Sequence, residues 1–234
     1  MRPAIIVMVK APRAGAVKTR LVPPLSAEQA AALAACFARD VVGNMRRIAS
    51  DVVIAFAPAN ERLMIENILL PDLLYVEQRG GTLGERLANV AADVYARGSS
   101  PLIFTGTDSP TLPGEFIEDA LRVLVGKAAD VTLGATDDGG YYSIGLRHPY
   151  PTLFDNVSWS TAHVYRQTVA NIEQAKLRLY ELPGWYDVDE SSDLARLQVE
   201  LDTSLDARQR APVTYRWLAR LRELEHSGDQ ENVG

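Results

Sequence analysis

The strongest constraint on this chain is the alternation of short, unbroken apolar runs with longer amphipathic stretches. Residues 4–9 (AIIVMV), 51–57 (DVVIAFA), 73–78 (LLYVEQ), 101–106 (PLIFTG) and 130–135 (DVTLGA) read as strands. Runs this apolar suit strands covered on both faces, as in a parallel sheet. Between them lie helical patterns. One starts near Ser26, where Ser26 and Gln29 are spaced as a capping box and Leu33, Phe37 and Val41 share a face. Others cover about 59–69, 82–98 (ending at Gly98) and 114–125. After residue 136 the rhythm loosens. GYYSIGL (140–146) follows an Asp-Gly-Gly turn and is expected to run antiparallel. A helix near 161–175, a strand at 177–182 and helices at about 191–201 and 207–225 complete the pattern. Alternation of this kind predicts an α/β fold: a three-layer α/β/α sandwich on a mostly parallel, Rossmann-like sheet. One domain is expected over residues 1–226, with 227–234 (SGDQENVG) as a disordered tail.

Composition narrows the function classes. With 234 residues, 47% of them hydrophobic, the chain has material for a sizeable core. A net charge of −6 argues against a nucleic-acid partner, which calls for a basic face. The single cysteine, Cys36, excludes internal disulfides and cysteine-cluster metal sites, and its alanine-rich helical setting suggests a buried thiol. No apolar run approaches the ~20 residues of a membrane span. Lys10 follows the first apolar run too closely for a signal peptide, so the expected location is cytoplasmic.

In sheets of this class, ligands sit beyond the carboxyl ends of the strands. The loops there hold nearly all the unusual chemistry. MVKAPRAGAVKTRL (8–21) is basic and glycine-bearing, but it is not a P-loop: Pro12 and Val17 stand where the two glycines should be. No GxGxxG follows the first strand either, which argues against a dinucleotide-binding oxidoreductase. QRGGTLGER (78–86) brings three glycines and two arginines. TGTDSPTLP (105–113) puts Asp108 at a strand end, TDDGGYY (136–142) carries Asp137 and Asp138, and DVDE (187–190) sets Asp187 and Asp189 on one side of an extended segment. Basic loops meeting carboxylates suit a nucleotide di- or triphosphate with Mg²⁺, which is held by one or two carboxylates plus phosphates and waters. Each residue also has a plainer role open to it. Asp108 could cap its own turn, and Asp187 and Asp189 could cap the helix near Ser191. Trp159 and Trp185 suit packing more readily than stacking on a sugar. His148, His163 and His226 show no ligand spacing.

The ordered set KAPRAGAVKTRL, GGTLGERL, GTDSPTLP, DDGGYYSIGL, VSWST and DVDE resembles the DUF2064 family, also called radical-SAM/selenodomain-associated transferase 1, of the nucleotide-diphospho-sugar transferase (GT-A) superfamily. The likeness runs from residue 4 to about 200. It implies a GT-A-type fold and a transferase, glycosyl- or nucleotidyl-, that uses Mg²⁺ or Mn²⁺, a nucleotide or nucleotide sugar, and a small acceptor. By position it implies nucleotide contacts from Arg13, Gly15, Lys18, Arg20, Gln78, Gly81 and Thr82. It implies metal ligation by Asp108 and Asp189, catalytic roles for Asp108 and Lys18, and acceptor contacts from Asp138, Gly139, Gly140 and Tyr141. The other reading is a nucleotide- or sugar-binding protein on the same fold that does not catalyse.

Overall fold

A computed structural model describes residues 1–49 and 51–231. The first apolar run becomes β1 (Arg2–Lys10), and its side chains alternate between two cores. Ile5, Val7 and Val9 pack on one face of the sheet; Ala4 and Ile6 pack on the other. This two-sided burial explains the missing polar alternation in the sequence. The chain then forms α1 (Ala27–Ile48), β2 (Val52–Ala57), α2 (Arg62–Ile68), β3 (Leu74–Glu77), α3 (Leu83–Ala96), β4 (Ser99–Thr105) and α4 (Gly114–Val125). It continues with β5 (Val131–Thr136), β6 (Tyr141–Leu146), α5 (Val164–Gln174), β7 (Leu179–Trp185), α6 (Ser191–Thr203), α7 (Leu205–Arg210) and α8 (Pro212–Glu231).

The strands make one seven-stranded sheet in the order β3-β2-β1-β4-β6-β5-β7. Only β6 runs against the rest, pairing antiparallel with both β4 and β5. Val41 and Met45 of α1 and Ile117 of α4 cover one face, while Leu87 and Val90 of α3 and Ile172 of α5 cover the other. The expected three-layer arrangement on a mostly parallel sheet therefore forms.

A third cluster was not visible as such in the sequence. Leu33 and Phe37 on the outer side of α1 pack with Leu21, Val188, Leu194, Leu197 and Leu218, which seats the C-terminal helices behind α1. Asp40 of α1 is buried there and accepts hydrogen bonds from the Val213 and Thr214 N–H groups (2.9 and 2.8 Å) at the start of α8. Burial pushes its carboxyl pKa up, against the pull of those donors.

The single helix expected at 207–225 is two, α7 and α8, parted at Ala211. Ala211 precedes a proline, a position that disfavours the helical region, and its φ/ψ of −123°/56° is not helical. The last strand lies later than the 177–182 expected, at 179–185; as an edge strand it tolerates Pro183. Helix α8 continues to Glu231, so residues 227–231 of the expected tail are helical, and 232–234 lie outside the described residues. Among the described residues no helix is long and apolar enough to cross a membrane.

Candidate active site

A cleft of about 840 Å³ opens at the carboxyl ends of the strands. β1 and β4 are neighbours, yet the chain leaves β1 toward β2 on one side and β4 toward β5 on the other. Connections that part in this way leave a crevice between adjacent strand ends. The loop after β1 forms one wall. It is closed on itself by Lys10, whose Nζ donates to the Ala16 carbonyl at 2.7 Å. Lys18 then adopts a left-handed conformation (φ 48°, ψ 37°) just before a short 3-10 turn at Thr19–Leu21.

That backbone turn sends the Lys18 side chain inward, where it is only 6% exposed. Its ammonium pairs with Asp108, pairs with Asp189 at 2.8 Å, and donates to the Val188 carbonyl at 2.7 Å. Burial alone would lower the lysine pKa. The Asp108 and Asp189 carboxylates outweigh it and hold the value above that of a free lysine. The two carboxylates come from separate segments, after β4 and after β7. A backbone bond from Val188 N–H to the Asp108 carbonyl (2.9 Å) stitches those segments together, and Val188 is anchored in the third core cluster.

Two more carboxylates share the cleft wall. Burial, then the nearby Asp138, Asp189 and Asp108, push the Asp187 carboxyl up to about 7. Asp138 is held by its own turn: Oδ1 accepts from Thr136 Oγ1 (2.6 Å) and from Gly140 N–H (2.9 Å). Gly139 is required at this turn, because at φ +88° a Cβ would lie 2.5 Å from the Ala162 carbonyl oxygen. Asp137 turns the other way and pairs with Arg196 of α6 at 2.7 Å. Arg196 also covers the Tyr186 ring, 3.9 Å from its centroid. One turn further along α6, Glu200 accepts from Tyr186 and from Thr111 Oγ1 (2.8 Å). Helix α6 thus ties together the turn after β5, the loop after β4 and the segment after β7. Sequence reasoning missed Thr111, Tyr186, Arg196 and Glu200. Only the i, i+4 spacing of Arg196 and Glu200, which sets them on one face of a helix, hinted at a shared role.

The far end of the cleft is aromatic. Trp159 meets the Tyr141 ring edge-on (centroids 6.5 Å apart, 76° between planes) and tilts against Phe154. Gly84 in the first turn of α3 admits the indole, since a Cβ there would sit 3.0 Å from Trp159 Cζ2. The Tyr141 hydroxyl is buried beside Thr168, so the ring rather than the hydroxyl faces the cleft. Trp185 does not reach the cleft. It stacks on Tyr186 and packs edge-on against Phe116.

Of the residues singled out from sequence, Lys18, Arg20, Asp108, Asp138, Gly140, Tyr141 and Asp189 line this cleft. Arg13, Gly15, Gln78, Gly81, Thr82 and Gly139 do not. Arg13 pairs with the buried Glu61 in the short turn after β2. Gly15 sits at φ +73° with open space around it. Gln78 donates its amide to the Ala55 carbonyl at 2.7 Å, bridging strand ends. The Gly81 and Thr82 N–H groups donate to Glu85 Oε2 (2.7 and 3.3 Å), while Thr82 Oγ1 accepts from Glu85 N–H. These three residues are committed to capping α3, which the Thr-x-x-Glu spacing at 82–85 encodes directly. Among the described residues, no three His, Cys, Asp or Glu side chains are arranged to hold a metal ion by themselves.

Comparisons with known proteins bear on the family and the fold. A family model described as "Uncharacterized protein conserved in bacteria (DUF2064)" matches residues 43–161. A structure from Desulfovibrio desulfuricans G20, provisionally named a nucleotide-diphospho-sugar transferase, superposes with a TM-score of 0.87 and 32% identity over 97% of this chain and 98% of the other. More distant structures share the fold. CMP:2-keto-3-deoxy-manno-octonic acid synthetase complexed with CTP gives a TM-score of 0.57 at 10% identity, over 88% of this chain and 100% of the other. The 4-diphosphocytidyl-2C-methyl-D-erythritol synthase of Anaerococcus prevotii DSM 20548 gives 0.57 at 10%, over 86% and 99%. No curated protein matches the chain.

Proposed function

The chain belongs to the DUF2064 family, and from that membership and the charge of the cleft we propose that it is a metal-dependent transferase acting on a nucleoside triphosphate or nucleotide sugar. One observation carries the reading. Two carboxylates from separate loops, Asp108 and Asp189, converge on a single point that already holds a cation, the Lys18 ammonium. A site that accepts an ammonium between two carboxylates fits Mg²⁺ or Mn²⁺, which needs only one or two protein carboxylates when phosphates and waters complete its shell. Metal bound by Asp108 and Asp189 would neutralise the diphosphate as charge develops on it.

In this reading Lys10 and Arg20 hold the nucleotide phosphates from the loop after β1, while Lys18 holds Asp108 and Asp189 together. Most of the catalytic effect comes from positioning and charge neutralisation. Arg13, Gly15, Gln78, Gly81 and Thr82 support the two loops instead of touching the ligand. Asp138, Gly140 and Tyr141 face the acceptor, with Gly139 shaping their turn.

The test is a thermal-shift and calorimetric screen of nucleoside di- and triphosphates and nucleotide sugars, with Mg²⁺ or with a chelator. Wild type is expected to bind a nucleotide in a metal-dependent way. Asp108→Ala is expected to keep the fold and lose the metal-dependent part. An unchanged magnesium titration in that variant would refute the assignment.

A further inference from the structure

The carboxylates that hold Lys18 are carried by irregular chain. Asp108 lies between β4 and α4, and Asp189 between β7 and α6. Their separation is therefore set by cross-links between the two segments and not by a strand ladder. Lys18 and the bond from Val188 N–H to the Asp108 carbonyl are links at the carboxylates themselves. Another lies behind them, outside the cleft lining. Glu200 Oε2 accepts from Tyr186, three residues before Asp189, and from Thr111 Oγ1 (2.8 Å), three residues after Asp108. Thr111 is 0% and Tyr186 4% exposed, and their hydroxyls lie 3.3 Å apart. The other oxygen of Glu200 faces Arg210 of α7 at 3.6 Å.

We propose, resting on the transferase reading above for what the pair holds, that Glu200 is a positioning residue for Asp108 and Asp189. By gathering Thr111 and Tyr186 onto one carboxylate oxygen, it fixes the distance between the two segments and with it their grip on a cation. Two buried O–H groups share this one acceptor. Without it they could bond to each other, but that satisfies only one of the two protons. The other would stay buried without a partner, which is unfavourable enough to move the chain that carries it. That segment would shift toward water and draw its carboxylate away from Lys18.

The geometry separates the possible replacements. Glutamine keeps an oxygen at the same reach, able to accept from both hydroxyls, so Glu200→Gln should preserve the spacing. Aspartate is one methylene shorter and does not reach both, so Glu200→Asp should lose it. Groups that orient metal ligands from behind typically matter about 10–100-fold in metal affinity.

The test uses the full chain and two readouts. The first needs no metal: acetylation by acetic anhydride, followed lysine by lysine with mass spectrometry, reports how firmly Lys18 is held. Glu200→Ala and Glu200→Asp are expected to speed Lys18 labelling at least about ten-fold, the equivalent of one buried hydrogen bond. The exposed Lys127 should label as before, and Glu200→Gln should label like wild type. Asp130→Asn, just before β5 at the far end of the sheet from the cleft, loses stability for an unrelated reason and should leave Lys18 protected. Equal Lys18 labelling in wild type and Glu200→Ala overturns the proposal, as does an Asp130→Asn variant that speeds it as much. Should Glu200→Ala fail to fold, Thr111→Val and Tyr186→Phe each remove one hydroxyl at nearly constant shape, and unchanged labelling in both has the same force. The second readout is Mn²⁺ binding, counted from the paramagnetic resonance of the free ion, with and without a nucleoside triphosphate. Binding about ten-fold weaker in Glu200→Ala and restored in Glu200→Gln is expected; equal binding in all three proteins overturns the link to the cation. A wild type that binds no Mn²⁺ refutes the transferase reading, and Lys18 labelling then still decides whether Glu200 positions the pair.

Discussion

Replacing Lys18 by methionine keeps the length of the side chain and removes its charge, at the point where the cleft is most tightly wired. In the native chain the ammonium serves Asp108, Asp189 and the Val188 carbonyl. Losing the bond to the buried carbonyl is a loss of about 1 kcal/mol. The two ion pairs would be worth more if they were dry. The Asp108 and Asp189 side chains are 48% and 40% exposed, so solvent screening brings each pair down to about 0.5–1 kcal/mol. A methionine thioether buried in the same place returns about 1 kcal/mol of apolar burial. The net loss is about 1–2 kcal/mol, a fall in melting midpoint of roughly 2–8 °C for a chain of this size. The second half of the experiment adds Mg²⁺. With the ammonium gone, the carboxylates lack a counter-cation, so the metal should stabilise Lys18→Met more than wild type, seen as a larger upward shift in a nucleotide-free thermal melt. A variant that melts at the wild-type temperature, or equal magnesium shifts in the two proteins, would refute the reasoning.

Three further outcomes follow from the same structure. The folded Asp187 carboxyl titrates near 7, above its ordinary 3.8, so the folded chain holds an extra proton between those values and stability falls as pH rises through that window. Melting curves at pH 5 and pH 8 should differ more for wild type than for Asp187→Asn, and equal slopes would count against the assignment. Asp130 is the reverse case. Bonds from Arg178, with Arg147 alongside, hold its pKa at about 2, so its stabilisation is present above the ordinary carboxyl value and is lost as pH falls toward 2. Asp130→Asn should melt several degrees lower at pH 7 and converge with wild type in acid. Gly139→Ala meets the Ala162 carbonyl at 2.5 Å in a left-handed conformation. It should lose at least about 1–3 kcal/mol of stability in chemical denaturation, and a near-neutral result would show that the turn can shift.

The elements of this fold were legible because their signals are local. Residues 4–9 read as a strand covered on both faces, and Ile5, Val7 and Val9 do pack on one side with Ala4 and Ile6 on the other. Ser26 and Gln29 form the capping box that their spacing announced. The Asp-Gly-Gly turn foretold the reversed strand β6. Pro212 also carries a local signal, for the break between α7 and α8. At the cleft, the gathering of unusual residues at strand ends was readable, because a mostly parallel sheet brings those ends to one edge whatever the side chains do.

What each side chain does there could not be read from the sequence. Lys18 is expected from the resemblance to contact the nucleotide, and the structure adds that a left-handed backbone turn buries it against Asp108 and Asp189, 90 and 171 positions away. Asp137 and Asp138 are neighbours in sequence, but one is drawn to Arg196 on α6 while the other is fixed into the cleft wall. Gly81 and Thr82 resembled ligand contacts, and in the structure they cap α3. Periodicity and turn chemistry act over a few residues, so the sequence alone determined the elements, the sheet class and the edge where chemistry collects. Ion-pair partners and burial depend on which distant segments pack together. Only the tertiary structure, through the third core cluster that seats Val188 and α6 behind α1, decided which charges face the cleft and which are neutralised inside it.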